Sequence, residues 1–115
     1  MKYFLVITNL FFSLVKATTL NVPSDYNTIQ EGIDASQPGD TVLVAQGLYY
    51  ENLILDKNIT LASHAITDNL DDNWLDNENI NETIINGGQH PAGSSFGSCL
   101  VIRDNDINPL IYGFT

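Results

Sequence analysis

The chain has 115 residues, room for one domain at most, and sets four Lys or Arg against fourteen Asp or Glu, a net charge of −10. So negative a surface repels phosphate backbones and anionic lipid, so nucleic acid is not an expected partner and a polyanionic polysaccharide is a poor one. The single cysteine, Cys99, rules out an internal disulfide framework.

Taken from the start, Lys2 precedes an apolar run from Tyr3 to Val15 that is interrupted by Thr8, Asn9 and Ser13. Val15 and Ala17 then stand at the −3 and −1 positions of a cut before Thr18. A basic start, a short apolar stretch and a small residue at the cut predict a secretory signal peptide over residues 1–17. A membrane span needs about 20 apolar residues, so no span is expected after cleavage and the mature chain is expected outside the cell, secreted or on the cell surface. Cleavage removes Lys2 and Lys16 and leaves Lys57 and Arg103 as the only Lys and Arg.

Ile29 and Ile33, four residues apart, with Ala35 close to the same stripe, predict a short helix. Asn27 or Thr28 caps its start, Glu31 favours its first turn, and Pro38-Gly39 stops it. Two turns are too few to be stable alone, so this helix must lie over an apolar surface. Short strands follow. Thr41 to Ala45 is a β-branched run between Pro38-Gly39-Asp40 and Gln46-Gly47. Leu53 to Leu55, Ile59 to Leu61, Thr83 to Ile85, Cys99 to Arg103 and Leu110 to Thr115 continue the series. With no further helix expected, two all-β arrangements fit: an antiparallel sandwich, or a solenoid whose short strands are closed by polar corners.

The phrase TIQEGIDASQPGDTVLVAQGLYYENLILDKNITLAS, followed by TIING and LIYGFT, resembles the opening of the pectin-lyase-like superfamily. The resemblance spans about Val22 to Thr115, with a poorly matching insertion from His64 to Asn81. It implies an all-β fold, a right-handed parallel β-helix, with Thr28 to Ser36 as a helical cap on its first coil. Residues 18–115 then form the cap and first coils, and the later coils of a longer parent chain are expected to be missing. The resemblance is specific for fold and only weakly for function, since lyases, esterases and non-catalytic surface proteins share it.

Within it, Gly47-Leu48-Tyr49-Tyr50-Glu51 is similar to the G-x-Y-x-E element of pectin methylesterases. Gly47 is expected at a positive-φ turn, Tyr49 against the cap, and Glu51 on backbone donors at a corner. That family's catalytic motifs of later coils are not found in this chain, so Glu51 is read as structural.

The acidic stretch Asp68 to Glu78 offers hard oxygen ligands, but it lacks the glycine and the regular spacing of a twelve-residue calcium loop and is read as a solvated loop. Trp74 and Leu75 are expected to tuck that loop back onto the body, the other possibility for Trp74 being a sugar-stacking surface. His64 and His90 have no companions at metal-ligand spacing. Cys99 reads as a buried strand residue. Asn58-Ile59-Thr60 and Asn81-Glu82-Thr83 fit the glycosylation acceptor pattern, which matters only in a eukaryotic secretory route.

No acid–base pair, activated nucleophile or metal cluster can be assembled from these residues, so no catalytic, metal or cofactor site is expected. The functional expectation is a secreted, non-catalytic protein whose parent binds polysaccharide or a cell-surface glycan. The alternative is the leading part of a polysaccharide lyase or pectin-esterase-like enzyme.

Overall fold

The structure is a computed structural model that describes residues 16–71, 74–89 and 97–115; most of the expected signal peptide lies outside these. Its core begins with the alternation of apolar residues in three short strands, β1 (Thr19–Val22), β2 (Thr41–Val44) and, after two intervening strands, β5 (Thr60–Ser63). These strands are parallel and in register, Leu20 beside Val42 beside Leu61. A period of two therefore sends Leu20, Val22, Val42, Val44 and Leu61 to one buried face. The opposite face carries a row of threonines, Thr19, Thr41 and Thr60. Strand β8 (Leu110–Tyr112) completes this sheet, whose order is β1-β2-β5-β8.

Two further parallel pairs complete the β structure. Strand β3 (Gly47–Tyr49) pairs with β6 (Thr83–Ile85), and β4 (Leu53–Leu55) pairs with β7 (Leu100–Ile102). Leu53 and Leu55 are buried and meet Val22, Val42, Val44, Ile59 and Leu61 in a single core. Tyr49, Ile85, Leu100 and Phe114 pack around it.

Helix α1 (Ile29–Ala35) lies on this core through Ile29 and Ile33, both fully buried. Gly32 sits between them on the same face. A Cβ there would come within 3.1 Å of Val42 Cγ1 and 3.2 Å of Val22 Cγ2, so the close approach of helix and sheet favours glycine. Thr28 and Glu31 form a capping box at its start. The helix is also held from outside itself. The Glu51 carboxylate accepts from Ile29 N at 2.9 Å and Gln30 N at 3.0 Å, at the end where the helix dipole favours an anion. Lys57 Nζ donates to the carbonyls of Ile33, Asp34 and Ser36 at 2.8–3.0 Å, placing a cation at the other end. Between them the Gln30 side-chain amide donates to Ile54 O and accepts from Ile54 N, covering the free edge of β4 as a strand would.

The expected all-β right-handed parallel β-helix is corrected by this arrangement. The chain forms a small α/β domain in which short parallel strands make separate sheets of four, two and two strands, joined by two helices. A solenoid stacks units of similar length on one another. Here the strands of the larger sheet start at residues 19, 41, 60 and 110, so no common period relates them. Long excursions on either side of β6 break any repeat, and the first of them contains helix α2 (Glu78–Asn81), where no second helix was expected. Strands β1 and β3 were not anticipated either. Gly47 lies in β3 without a positive φ; its lack of a Cβ leaves room for the Tyr49 ring, which would lie 3.2–3.3 Å away.

Ile33→Asp places a carboxylate in this dry contact and is expected to cost about 3 kcal/mol or more. Chemical denaturation of the variant beside the unaltered chain measures it. An unchanged midpoint would remove Ile33 from the core.

Candidate functional site

The segment between β5 and β6 holds the two most exposed large apolar side chains among the described residues. It starts with a 3₁₀ turn, His64–Thr67, capped by the Ser63 side chain on Ala65 N. A second 3₁₀ turn, Trp74–Asp76, leads into α2. Asp68 joins the two halves, since its Oδ2 accepts from Asn77 Nδ2 at 2.9 Å and Asn79 Nδ2 at 2.8 Å. Asn77 also caps α2 through Ile80 N, Asn81 Nδ2 donates to Leu75 O, and Gln46 Nε2 ties Asn79 to the body. The fully buried Thr83 then donates to Asn79 O. These bonds hold the Asp68 carboxyl below the usual aspartate range, chiefly through Asn77, then Asn79, with a smaller contribution from the charge of His64.

This is therefore an internally bonded arm, and it carries Trp74 and Leu75 outward, 59% and 66% exposed. The expectation that they fold back onto the body is not met, because the polar bonds of Asp68, Asn77 and Asn81 fix the arm without them. Asp71, Asp76 and Glu78 of the same segment are all exposed. Among the described residues no group of three or more His, Cys, Asp or Glu is placed to hold a metal ion. Asp72, part of the acidic stretch, lies outside the described residues, as does His90.

The other sequence candidates are dispersed. Both Glu51 oxygens are occupied by the N-terminus of α1, as expected of a structural carboxylate. Arg103 is exposed and joins the sheet through its backbone, donating to Leu55 O at 3.0 Å. In the β4–β7 register Arg103 falls beside Asp56, five residues beyond Glu51. Glu51 precedes β4 and is committed to the start of α1, Arg103 follows β7, and among the described residues no bond joins the two. His64 is exposed at the base of the arm. Cys99 is exposed just before β7, not buried within it, because this two-stranded sheet covers the strand on one side only.

No family model, curated protein or solved structure matches the chain. The arm is consequently judged on its own geometry. An outward indole and a neighbouring leucine offer an apolar plate, and the carboxylates and amides around it offer acceptors and donors for hydroxyl groups. The Asp68 bonds that were not foreseen leave one trace in the sequence, the alternation Asn77, Asn79, Asn81.

Acid should loosen the arm and the N-terminal strand. Asp25 is held below the ordinary aspartate value of 3.8 by its bonds from Asn21, and Asp40 by those from Gln37 N and Thr18 N. Asp68 shares the direction. For carboxyls whose folded pKa is depressed, the stabilisation is complete above the unfolded value and disappears as pH falls through the lower folded one. Stability is therefore expected to be level above about pH 5 and to decline below the 3.8 of the unfolded side chains. Urea titrations across this range test it, and Asp40→Asn and Asp68→Asn should each flatten the acid limb.

Proposed function

We propose that this chain is an exported, non-catalytic binding module that recognises neutral glycan surfaces through the arm. The observation that carries the proposal is the outward Trp74, with Leu75 beside it, on an arm held in place by hydrogen bonds that do not involve the indole. An indole face stacks on the C–H face of a pyranose, and an exposed one on an arm whose backbone is already held needs little backbone ordering on binding. Asp71, Asp76 and Glu78 serve as acceptors for sugar hydroxyls. The same carboxylates, on a chain of net charge −10, select against uronate polymers. The enzymatic alternative gains no comparable support, since both Glu51 oxygens are committed to α1 and Arg103 joins the sheet through its backbone.

Trp74 is the only tryptophan, so its fluorescence reports the arm without interference. Titration with neutral oligosaccharides, such as β-linked glucose or xylose chains, is expected to shift or quench its emission saturably. Polygalacturonate should compete poorly, and Trp74→Ala should weaken retention on the corresponding insoluble glycan at least tenfold, about 1.4 kcal/mol. Retention unaltered by Trp74→Ala, or no emission change across a panel of neutral glycans, would overturn the proposal.

A further inference from the structure

The loop that follows β6 contains the sequence Asn86-Gly87-Gly88, and its geometry is independent of the arm. Asn86 is exposed, with its backbone N–H donating to Tyr49 O at 2.8 Å. Its side-chain Oδ1 accepts from Gly88 N at 2.9 Å, which folds the amide back over the following peptide. Gly87 N donates to no group among the described residues, whereas Gly87 O accepts from Asn52 Nδ2 at 2.8 Å. The same Asn52 amide also donates to Ser98 O, at 2.9 Å, so one side chain ties both ends of the loop between β6 and β7.

We propose that Asn86–Gly87 is a site of spontaneous backbone rearrangement in the folded protein, with water as its only co-reactant. Gly87 N attacks Asn86 Cγ and gives up its proton to solvent as the N–Cγ bond forms. The Cγ–Nδ2 bond then breaks, and Nδ2 leaves as ammonia after taking a proton from water. The product is a five-membered cyclic imide. Water adds to one of its two carbonyls. Opening at Cγ leaves an ordinary aspartate, and opening at the main-chain carbonyl leaves an isoaspartate whose backbone runs through the former side chain.

Three features of the loop favour this reaction. Among the described residues the nucleophilic nitrogen has no hydrogen bond to surrender, and its residue has no Cβ to obstruct the approach. The Gly88 N–H already contacts Oδ1, where negative charge develops in the tetrahedral intermediate, and so acts as a fixed oxyanion donor. The fold-back of the amide brings the reacting groups together before reaction, lowering the entropic part of the barrier.

The isoaspartate product does not fit the loop that makes it. It lengthens the main chain by one carbon just before Gly87, which already packs so closely that a Cβ on it would lie 2.7 Å from Cys99 Cα and 2.8 Å from Cys99 N. The shift this requires is expected to strain the bond from Asn52 to Gly87 O, whose donor also holds Ser98 O. The rearrangement thus adds a negative charge and strains the tie between β6 and β7.

Purified chain held at mildly alkaline pH and body temperature, sampled over days and mapped by peptide mass spectrometry, tests the proposal. The amide-to-acid mass change should arise at Asn86 before any other asparagine, as a chromatographic doublet of aspartate and isoaspartate peptides. Its rate in the folded chain should equal or exceed that in urea. Asn86→Gln, whose longer side chain would need a larger ring, should abolish it. Gly88→Pro, confirmed as folded by circular dichroism, should slow it severalfold by removing the donor to Oδ1. If Gly88→Pro does not fold, the comparison of native with urea-unfolded chain decides alone. Earlier conversion at another asparagine, or slower reaction in the folded chain than in urea, would overturn the proposal.

Discussion

The two charged ends of helix α1 determine how the rest of the domain is arranged. Seven residues cannot hold a helix in water, and Ile29 and Ile33 supply apolar contact without fixing direction. Direction comes from Glu51 at one terminus and Lys57 at the other. These two residues flank β4, so the helix lies alongside that strand with its dipole set between an anion and a cation. Gln30 then bonds to both backbone groups of Ile54. The arrangement closes the edge of β4 that β7 does not occupy, and it seats the buried Leu53 and Leu55 under Ile33 and its neighbours. Replacing Lys57 by methionine, apolar and nearly as long, would keep the stem's packing and lose the orienting charge.

The opposite side of the domain is built differently. Strands β6, β7 and β8 each lie at the edge of their sheet, and Val101, Ile102, Leu110 and Ile111 are exposed there. Parallel edges with apolar side chains pair readily with other chains. Asp104 and Asp106 stand immediately after β7, and the chain as a whole carries ten negative charges in excess. Mutual repulsion between copies opposes edge-to-edge association, which gives the acidic composition a physical role beyond solubility.

Local features were readable from the sequence, and the long-range ones were not. Thr28, Glu31 and the Ile29–Ile33 spacing marked α1 to within a residue, because capping and amphipathicity act over one or two turns. The β-branched run from Thr41 stood out as β2 for a similar reason. Strand β1 was passed over because Asn21 interrupts its apolar character, and β3 because three residues beginning with glycine give little signal. The pairing of Leu53 with Leu100 joins residues far apart in sequence, and no local pattern encodes such a register. The resemblance to a repeat family supplied a period that the strand starts at residues 19, 41, 60 and 110 do not keep. At the arm, composition revealed an acidic loop but could not reveal that Asp68 is held by Asn77 and Asn79. Without those bonds in view, the sequence leaves Trp74 either tucked onto the body or exposed as a stacking surface, and the bonds of Asp68 make the second possible.

The clamp on α1 also orders events as the chain is made. Residues emerge from the ribosome in sequence, and α1 appears more than twenty residues before Glu51 and Lys57, which are among its capping partners. The segment from Ile29 to Ala35 therefore remains a fluctuating coil while β2 and β3 leave the tunnel. It becomes a helix only when the stretch from Glu51 to Lys57 arrives, delivering both charges and the edge of β4 together. Helix formation and the sealing of one edge of β4 are thus coupled, and the core around Ile33 closes only with Ile59 and Leu61, which follow Lys57.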